Sequence, residues 1–363
     1  MQFTDTSTGS PTSWQWNFGN GATSSAQNPS HTYATVGSYT VTLIVANNSG
    51  TNSGDRPITV VSASAIIIDH NSAKLASIPA QWISAAKQTL HIAYGHTSHG
   101  MSLTSGMTGL VSWSGGGSPY SYNWGGTGGA LDLRDYNAPG TPMGAGSTFA
   151  HDLGADDNGN VSYTAWEAAT RAYLATNPGV NVVMWSWCWQ MNTTEANINI
   201  YLSLMNGLER DYPNIKFIYM TGATAGGHWG PGSEWAHNHY MRCKQIRDYC
   251  IANNKILFDF ADIESWDPDG IWYGDKLCNT EGYWDRNGDG TVDYDESSGG
   301  LNPTNLTIRA ANWMLTWMDA HPNLWYACTN PPPPHTNALN ANLKAYAAWA
   351  LFARLAGWDG RTN

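Results

Sequence analysis

Charge is scarce in this chain. Only 12% of its 363 residues are Asp, Glu, Lys or Arg, and 17 basic residues face 28 acidic ones. The net charge of −11, with no basic run anywhere, excludes the electrostatic footprint that a nucleic-acid partner requires. Long apolar runs are missing too: no stretch reaches the roughly 18 consecutive apolar residues of a membrane helix, so no membrane span is expected. The N-terminus carries neither the basic nor the apolar region of an export signal. Cysteine is sparse, and Cys188, Cys243, Cys250, Cys278 and Cys328 include no Cys-x-x-Cys pair of the kind that builds zinc sites. Five is an odd number, which leaves at least one thiol unpaired in a monomer. Cys278 and Cys328, both in loop-like sequence, are the expected disulfide.

Gly, Ser, Thr, Asn and Trp are abundant instead, a balance common in secreted, carbohydrate-facing proteins, and an extracellular location is expected. The 19 tryptophans fit either role of a flat indole, stacking on sugar rings or filling a core.

Residues 1–62 read as short alternating strands broken by turn residues: "SWQWNFGNG", "NPSHTYATVGSYTVTLIVANNSG", "RPITVV". The Asn-Gly of "FGNGATS" signals a hairpin. The stretch resembles a PKD domain, an immunoglobulin-like β-sandwich module, on Trp14, Trp16, Phe18, Gly19 and Gly21, then Asn28, Pro29, His31 and Tyr33, then Gly37, Tyr39 and Val41. The resemblance implies a spacer or weak polymer binder, with at least one of Trp14 and Trp16 in the sandwich core.

From about residue 63 to 363 strands and helices alternate, which predicts an open α/β sheet. "PAQWISAAKQ" leads into "LHIAY", "YTAWEAATRAYLAT" into "VNVVMWSW", a helix from Glu195 to Arg210 into "IKFIYMTG", and one from Glu234 to Asn253 into "KILFDFA". Two late helices follow, "TIRAANWMLTWMDA" and "NANLKAYAAWALFARLAGW". Chemistry in such sheets collects at the carboxyl ends of the strands. "GHTSHG", "WCWQMN", "TGATAGGHWG" and "DIESWDPDG" all fall there.

A serine or threonine between glycines, just past a buried strand and entering a helix, is how α/β hydrolytic folds expose a nucleophile. Ser98 fits that position, with Thr97 the alternative. His335, in the loop before the last helix, is the candidate base. Together these segments resemble the SGNH, or GDSL-like, hydrolases over about residues 64–358. The resemblance implies a flavodoxin-like three-layer α/β/α sheet. It also implies an oxyanion site completed by an amide, for which Gln190 is the choice over Asn192, and a second-block glycine, for which Gly154 is a candidate. The motifs diverge: "GHTSHG" replaces Gly-Asp-Ser-x-x-x-Gly, and the position three before His335 is Pro332 rather than Asp. Either the site is a Ser-His dyad helped by a backbone carbonyl, or the acid partner comes from elsewhere, from Asp262 or Glu264.

His96 and His99 are read as hydrogen-bonding residues around Ser98 that line the substrate site, in preference to a metal pair. Trp189 and His228 join them as candidate substrate contacts. His237 and His239 default to polar or loop roles, and Cys188 to an inert buried thiol. Trp185 and Trp187 share one face of their strand and point to core.

"DRNGDGTVDYDE" is the most specific motif of the chain. Asp285, Asn287, Asp289, Asp293 and Glu296 stand at positions 1, 3, 5, 9 and 12, with Gly290 at the sharp turn and the Thr291 carbonyl at position 7, the oxygen-donor spacing of an EF-hand Ca²⁺ loop over residues 285–296. Its flanks are loop-like, so a structural clamp is expected in place of a switching helix pair.

The expected function is a serine esterase acting on acyl esters of a polysaccharide or other ester-bearing polymer. The competing classes are a glycosidase or polysaccharide lyase using Asp262, Glu264 or Asp267, and a non-catalytic glycan-binding or adhesion protein.

Overall fold

The computed structural model describes residues 1–33, 35, 37–60, 65–96, 98–113, 117–135, 165–187, 191–224, 234–276, 278–288, 310–329 and 336–361. The chain divides into two compact units. One is Met1–Ala65 with Arg247–Lys255, the other Ile66–Ile246 with Ile256–Asn363.

In the first unit, β1 (Ser13–Asn17), β2 (Thr23–Ser24), β3 (Gly37–Asn47) and β4 (Gly50–Val60) form an antiparallel sheet in the order β2-β1-β3-β4. The Asn20-Gly21 turn makes the expected hairpin between β1 and β2, with Gly21 at φ 88°. The two tryptophans share one face of β1: Trp16 is buried with Phe18 and Val41, and Trp14, nearer the strand's start, is half-buried against the same cluster and donates its indole N–H to Asp5 Oδ2 at 2.7 Å. Gly19, at φ 76°, is required because a Cβ there would lie 2.6 Å from the Thr40 carbonyl oxygen.

The second unit is a parallel sheet with helices on both faces. Its elements run β5 (Ile66–Ile68), α1 (Ala80–Thr89), β6 (His91–His96), α2 (Met101–Ser112), β7 (Tyr122–Asn123), β8 (Leu131–Asp135), α3 (Ala165–Thr176) and β9 (Val182–Ser186). They continue α4 (Glu195–Asp211), β10 (Lys216–Met220), α5 (Glu234–Ala252, of which residues 247–252 group with the first unit), β11 (Ile256–Phe258), α6 (Phe260–Ile263), α7 (Trp313–Ala320) and α8 (Ala338–Leu355). The order is β5-β11-β10-β9-β6-β8-β7, and every neighbouring pair is parallel.

Strands buried on both faces read as continuous apolar runs, as "VVMWS" does. Val182 and Met184 of β9 pack with Ile92, Tyr94, Ile218 and Met220 beneath the buried faces of α2 and α8. Trp185 points the other way, into an aromatic cluster with Trp187, Trp166 of α3 and Tyr201 of α4. The α8 helix is alanine-rich because its backbone lies close to a neighbour: a Cβ on Gly106 of α2 would sit 1.9 Å from the Ala341 carbonyl oxygen.

The expected disulfide is corrected. Cys278 and Cys328 are buried thiols with no disulfide between them, and Cys243 and Cys250 are buried thiols too. Cys328 takes a hydrogen bond from Asn342 Nδ2 at 3.3 Å, and burial pushes its thiol up to about 12. Cys188 lies outside the described residues.

Candidate functional site

Parallel strands put all their carboxyl ends on one edge, and the strand order reverses between β6 and β9. β6 leads to β8 on one side, whereas the chain continues through β9, β10 and β11 on the other. Helices on opposite faces leave a crevice at such a point. Its floor is the register pair His96 and Ser186, the last residues of β6 and β9.

The chain leaves β6 in a short turn, Ser98–Gly100, and enters α2. Gly100 crosses directly over the strand ends: a Cβ on it would meet His96 Cβ at 2.3 Å and Ser186 Oγ at 2.9 Å. The Tyr94 hydroxyl donates to the Gly100 carbonyl at 2.8 Å from inside the core, and burial raises that phenol. His96 is buried, with Nε2 2.8 Å from Asp135 Oδ1 at the end of β8. His99 is also buried, and its carbonyl accepts the Ser102 hydroxyl at 2.7 Å.

From Ser102 a chain of polar contacts runs through the interior. Ser102 Oγ accepts from Lys344 Nζ of α8 at 3.0 Å, and the same ammonium is bonded to Glu264 Oε1, with both side chains closed to solvent. Glu264 Oε2 takes the Thr224 N–H at 2.7 Å and its hydroxyl at 2.9 Å, just beyond β10. Glu264 Oε1 also accepts from Asn340 Nδ2 at 3.2 Å, and Asn340 Nδ2 donates to Thr336 Oγ1 at 2.6 Å. Thr336 in turn donates to the Thr280 carbonyl at 2.6 Å. Three strand-end segments and the start of the last helix are thus tied to one buried carboxylate.

Asp262 has a histidine partner, His70, 192 residues away in sequence. Its Oδ2 accepts from His70 N at 2.9 Å and lies 2.6 Å from His70 Nδ1, while the His70 ring stacks on Trp266 at 3.9 Å. Asp69, Asp262 and His70 are the group of three potential ligands within 4.8 Å of one another among the described residues. Burial, then the Asp262 charge, raises Asp69 above the usual carboxylate range. His96 and His99 gain no third ligand among the described residues.

The other competing carboxylates are also committed. Asp267 closes a turn, accepting the Ile271 N–H at 2.8 Å and the Tyr273 hydroxyl at 3.3 Å, and burial raises it. His237 is exposed; His239 is buried, 2.7 Å from the Ala223 carbonyl, and burial lowers it to about 4.

Thr97, Trp189, Gln190, His228 and His335 lie outside the described residues, as do Gly154 and the Ser98 side chain. So do Asp289, Thr291, Asp293 and Glu296 of the expected calcium loop. Of that loop Asp285 and Asn287 are described, and Asp285 Oδ1 accepts the Gly288 N–H at 2.7 Å, with Gly288 at φ 74°. This side-chain turn bends the first four residues back on themselves.

Residues 1–61 match the PKD domain family. Similar solved structures are the PKD1 domain of Vibrio anguillarum Epp, at 42% identity, and the PKD1 domain of the Vibrio cholerae metalloprotease PrtV, at 40%. Each match covers 15% of this chain with a TM-score of 0.14, and takes in 64% and 68% of the respective relative. Residues 1–61 are a PKD domain. No curated protein matches the chain.

Proposed function

We propose that the chain is a secreted serine esterase of SGNH type that hydrolyses acyl esters on a polysaccharide, with Ser98 as nucleophile and His335 as base. The observation that carries the reading is the polar chain from the His99 carbonyl through Ser102, Lys344, Glu264 and Asn340 to Thr336. One end is next to Ser98 and the other next to His335, residues 237 positions apart by number (335 − 98). The central strand order β8-β6-β9-β10-β11 also agrees with the flavodoxin-like sheet of that superfamily, and it places the Ser98 turn at the reversal crevice.

Ser98 Oγ attacks the ester carbonyl while its proton passes to His335. The resulting oxyanion is held by the Ser98 N–H and Gln190. Collapse breaks the ester C–O bond, His335 returns the proton to the leaving alkoxide, and water releases the acyl group by the same steps. A Ca²⁺ ion held by Asp285, Asn287, Asp289, Asp293, Glu296 and the Thr291 carbonyl would clamp the loop before α7. The PKD domain would act as spacer or weak polymer binder.

The carboxylate alternative is less well supported, because Glu264 is shut away from solvent by Lys344 and Asp267 is bound into a turn. Covalent labelling with a fluorophosphonate probe tests the esterase reading. An adduct on Ser98, lost in Ser98→Ala and in His335→Ala but kept in Thr97→Ala, supports it. A folded protein that takes no adduct overturns it.

A further inference from the structure

We propose that Asp135 and His96 form a positioning pair that pins the Ser98 turn to the carboxyl edge of the sheet. The inference rests on the esterase reading for its kinetic consequence and on the geometry of the strand ends for everything else.

The pair arises from register. β6 and β8 run parallel with Tyr94 opposite Asp135, so β8 ends two residues short of β6 and its last side chain rises beside the final imidazole. His96 Nε2 lies 2.8 Å from Asp135 Oδ1, and the two side chains are 2% and 18% exposed. An imidazole closed off from water and facing a carboxylate keeps its proton on the facing nitrogen, which fixes both tautomer and ring plane.

The turn lies on the residue whose ring Asp135 holds. No side-chain atom fits between Gly100 and His96 Cβ, where a Cβ would come within 2.3 Å, and Tyr94, two residues before His96 on the same face, holds the Gly100 carbonyl at 2.8 Å. The backbone from Ser98 to Gly100 therefore rests on β6 at two points, His96 Cβ and the Tyr94 hydroxyl, and Asp135 holds the ring that branches from the first of them. Acyl transfer is sensitive to nucleophile placement, and a shift of about 1 Å costs on the order of 100-fold in rate. Asp135 touches no reacting atom in this scheme and acts through His96.

The test compares wild type with Asp135→Ala, which removes the acceptor, and Asp135→Asn, which keeps an oxygen at the same place. Three quantities are read: the rate of fluorophosphonate labelling, hydrogen–deuterium exchange of the peptide covering residues 97–103, and kcat and KM on an acyl ester. Asp135→Ala is expected to slow labelling and kcat roughly 100-fold with KM little changed and to speed exchange of the turn, and Asp135→Asn to recover to within about tenfold of wild type. If Asp135→Ala exchanges and labels as wild type does, the positioning role falls while the esterase reading stands. If wild type takes no adduct on Ser98 yet exchange of the turn still depends on Asp135, the esterase reading falls and the pinning stands. Should Asp135→Ala not fold, nitrogen-15 spectra of the wild-type His96 ring decide: a proton on Nε2 at neutral pH is expected, and the Nδ1–H tautomer overturns the proposal.

Discussion

Lys344 and Glu264 bond to each other in the interior with neither side chain reaching solvent, and the ammonium also stands 3.9 Å over the Phe260 ring. Two charges taken out of water repay their desolvation only while both are present. Removing either leaves the other stranded. Lys344→Met and Glu264→Gln are each expected to cost about 3–5 kcal/mol of unfolding free energy, and the double variant less than the sum. Chemical denaturation of the three variants measures this. Because Thr224, Thr280 and Asn340 hang on the same carboxylate, and Thr336 on Asn340, Glu264→Gln should also slow labelling of Ser98.

His239 gives the fold an acid-sensitive element. Burial lowers it from 6.5 to about 4, so the folded protein keeps the ring neutral while an unfolded chain protonates it. The unfolded state therefore binds more protons between those two values. Stability is expected to fall as pH drops from 6.5 towards 4, by about 3 kcal/mol from this residue alone. Unfolding midpoints across that range, in wild type and His239→Gln, check it: the variant loses that part of the slope.

The residues that write these predictions differ in how visible they are in the sequence. β9 and β10 announce themselves as buried apolar runs, and the helices Glu195–Asp211 and Ala338–Leu355 by their period and by Thr194 and Asn337 at their caps. β5 and β7, at three and two residues, are too short to show any period, and β8, whose five residues include three charged ones, does not read as a buried strand either. The strand-end motifs could be located because parallel sheets place their loops on one edge. Their partners could not. Asp135 reaches His96 across 39 residues by strand register, His70 reaches Asp262 across 192, and Lys344 reaches Ser102 across 242 by helix packing. Lys344 left one trace, a lone cation in the otherwise uncharged "NANLKAYAAWALFA". Cysteine spacing carried no information on proximity, and the expected Cys278–Cys328 bridge failed for that reason.

Calcium should act on stability before it acts on anything else. A ligand that binds only the folded chain stabilises it by RT ln(1 + [L]/Kd), about 4 kcal/mol at a thousandfold excess over Kd. Millimolar CaCl2 is expected to raise the thermal midpoint and EGTA to reverse it, with Mg²⁺ far less effective because the smaller ion demands near-octahedral geometry and gives up its waters reluctantly. Asp285→Ala should abolish the calcium-dependent shift while leaving the midpoint in EGTA close to wild type. A midpoint indifferent to calcium would remove the ion from the account.

Two glycines in helices make opposite predictions from one substitution. Replacing a helical glycine by alanine gains roughly 1 kcal/mol in backbone propensity where the methyl has room. Gly207 of α4 has it: the nearest atoms to a Cβ there are the guanidinium nitrogens of Arg210 and Arg171, at 3.8 and 3.9 Å. Gly106 of α2 has none, since its Cβ would fall 1.9 Å from the Ala341 carbonyl oxygen and 2.6 Å from the carbonyl carbon. Backbone cannot rotate aside as a side chain can, so α2 and α8 would have to separate, and overpacking of this kind costs about 1–3 kcal/mol or more. Gly207→Ala is therefore expected to raise the denaturation midpoint and Gly106→Ala to lower it. Since α2 begins at the Ser98 turn and α8 carries Lys344 and Asn340, the Gly106 variant should lose probe labelling at temperatures where it is still folded, and Gly207→Ala should not.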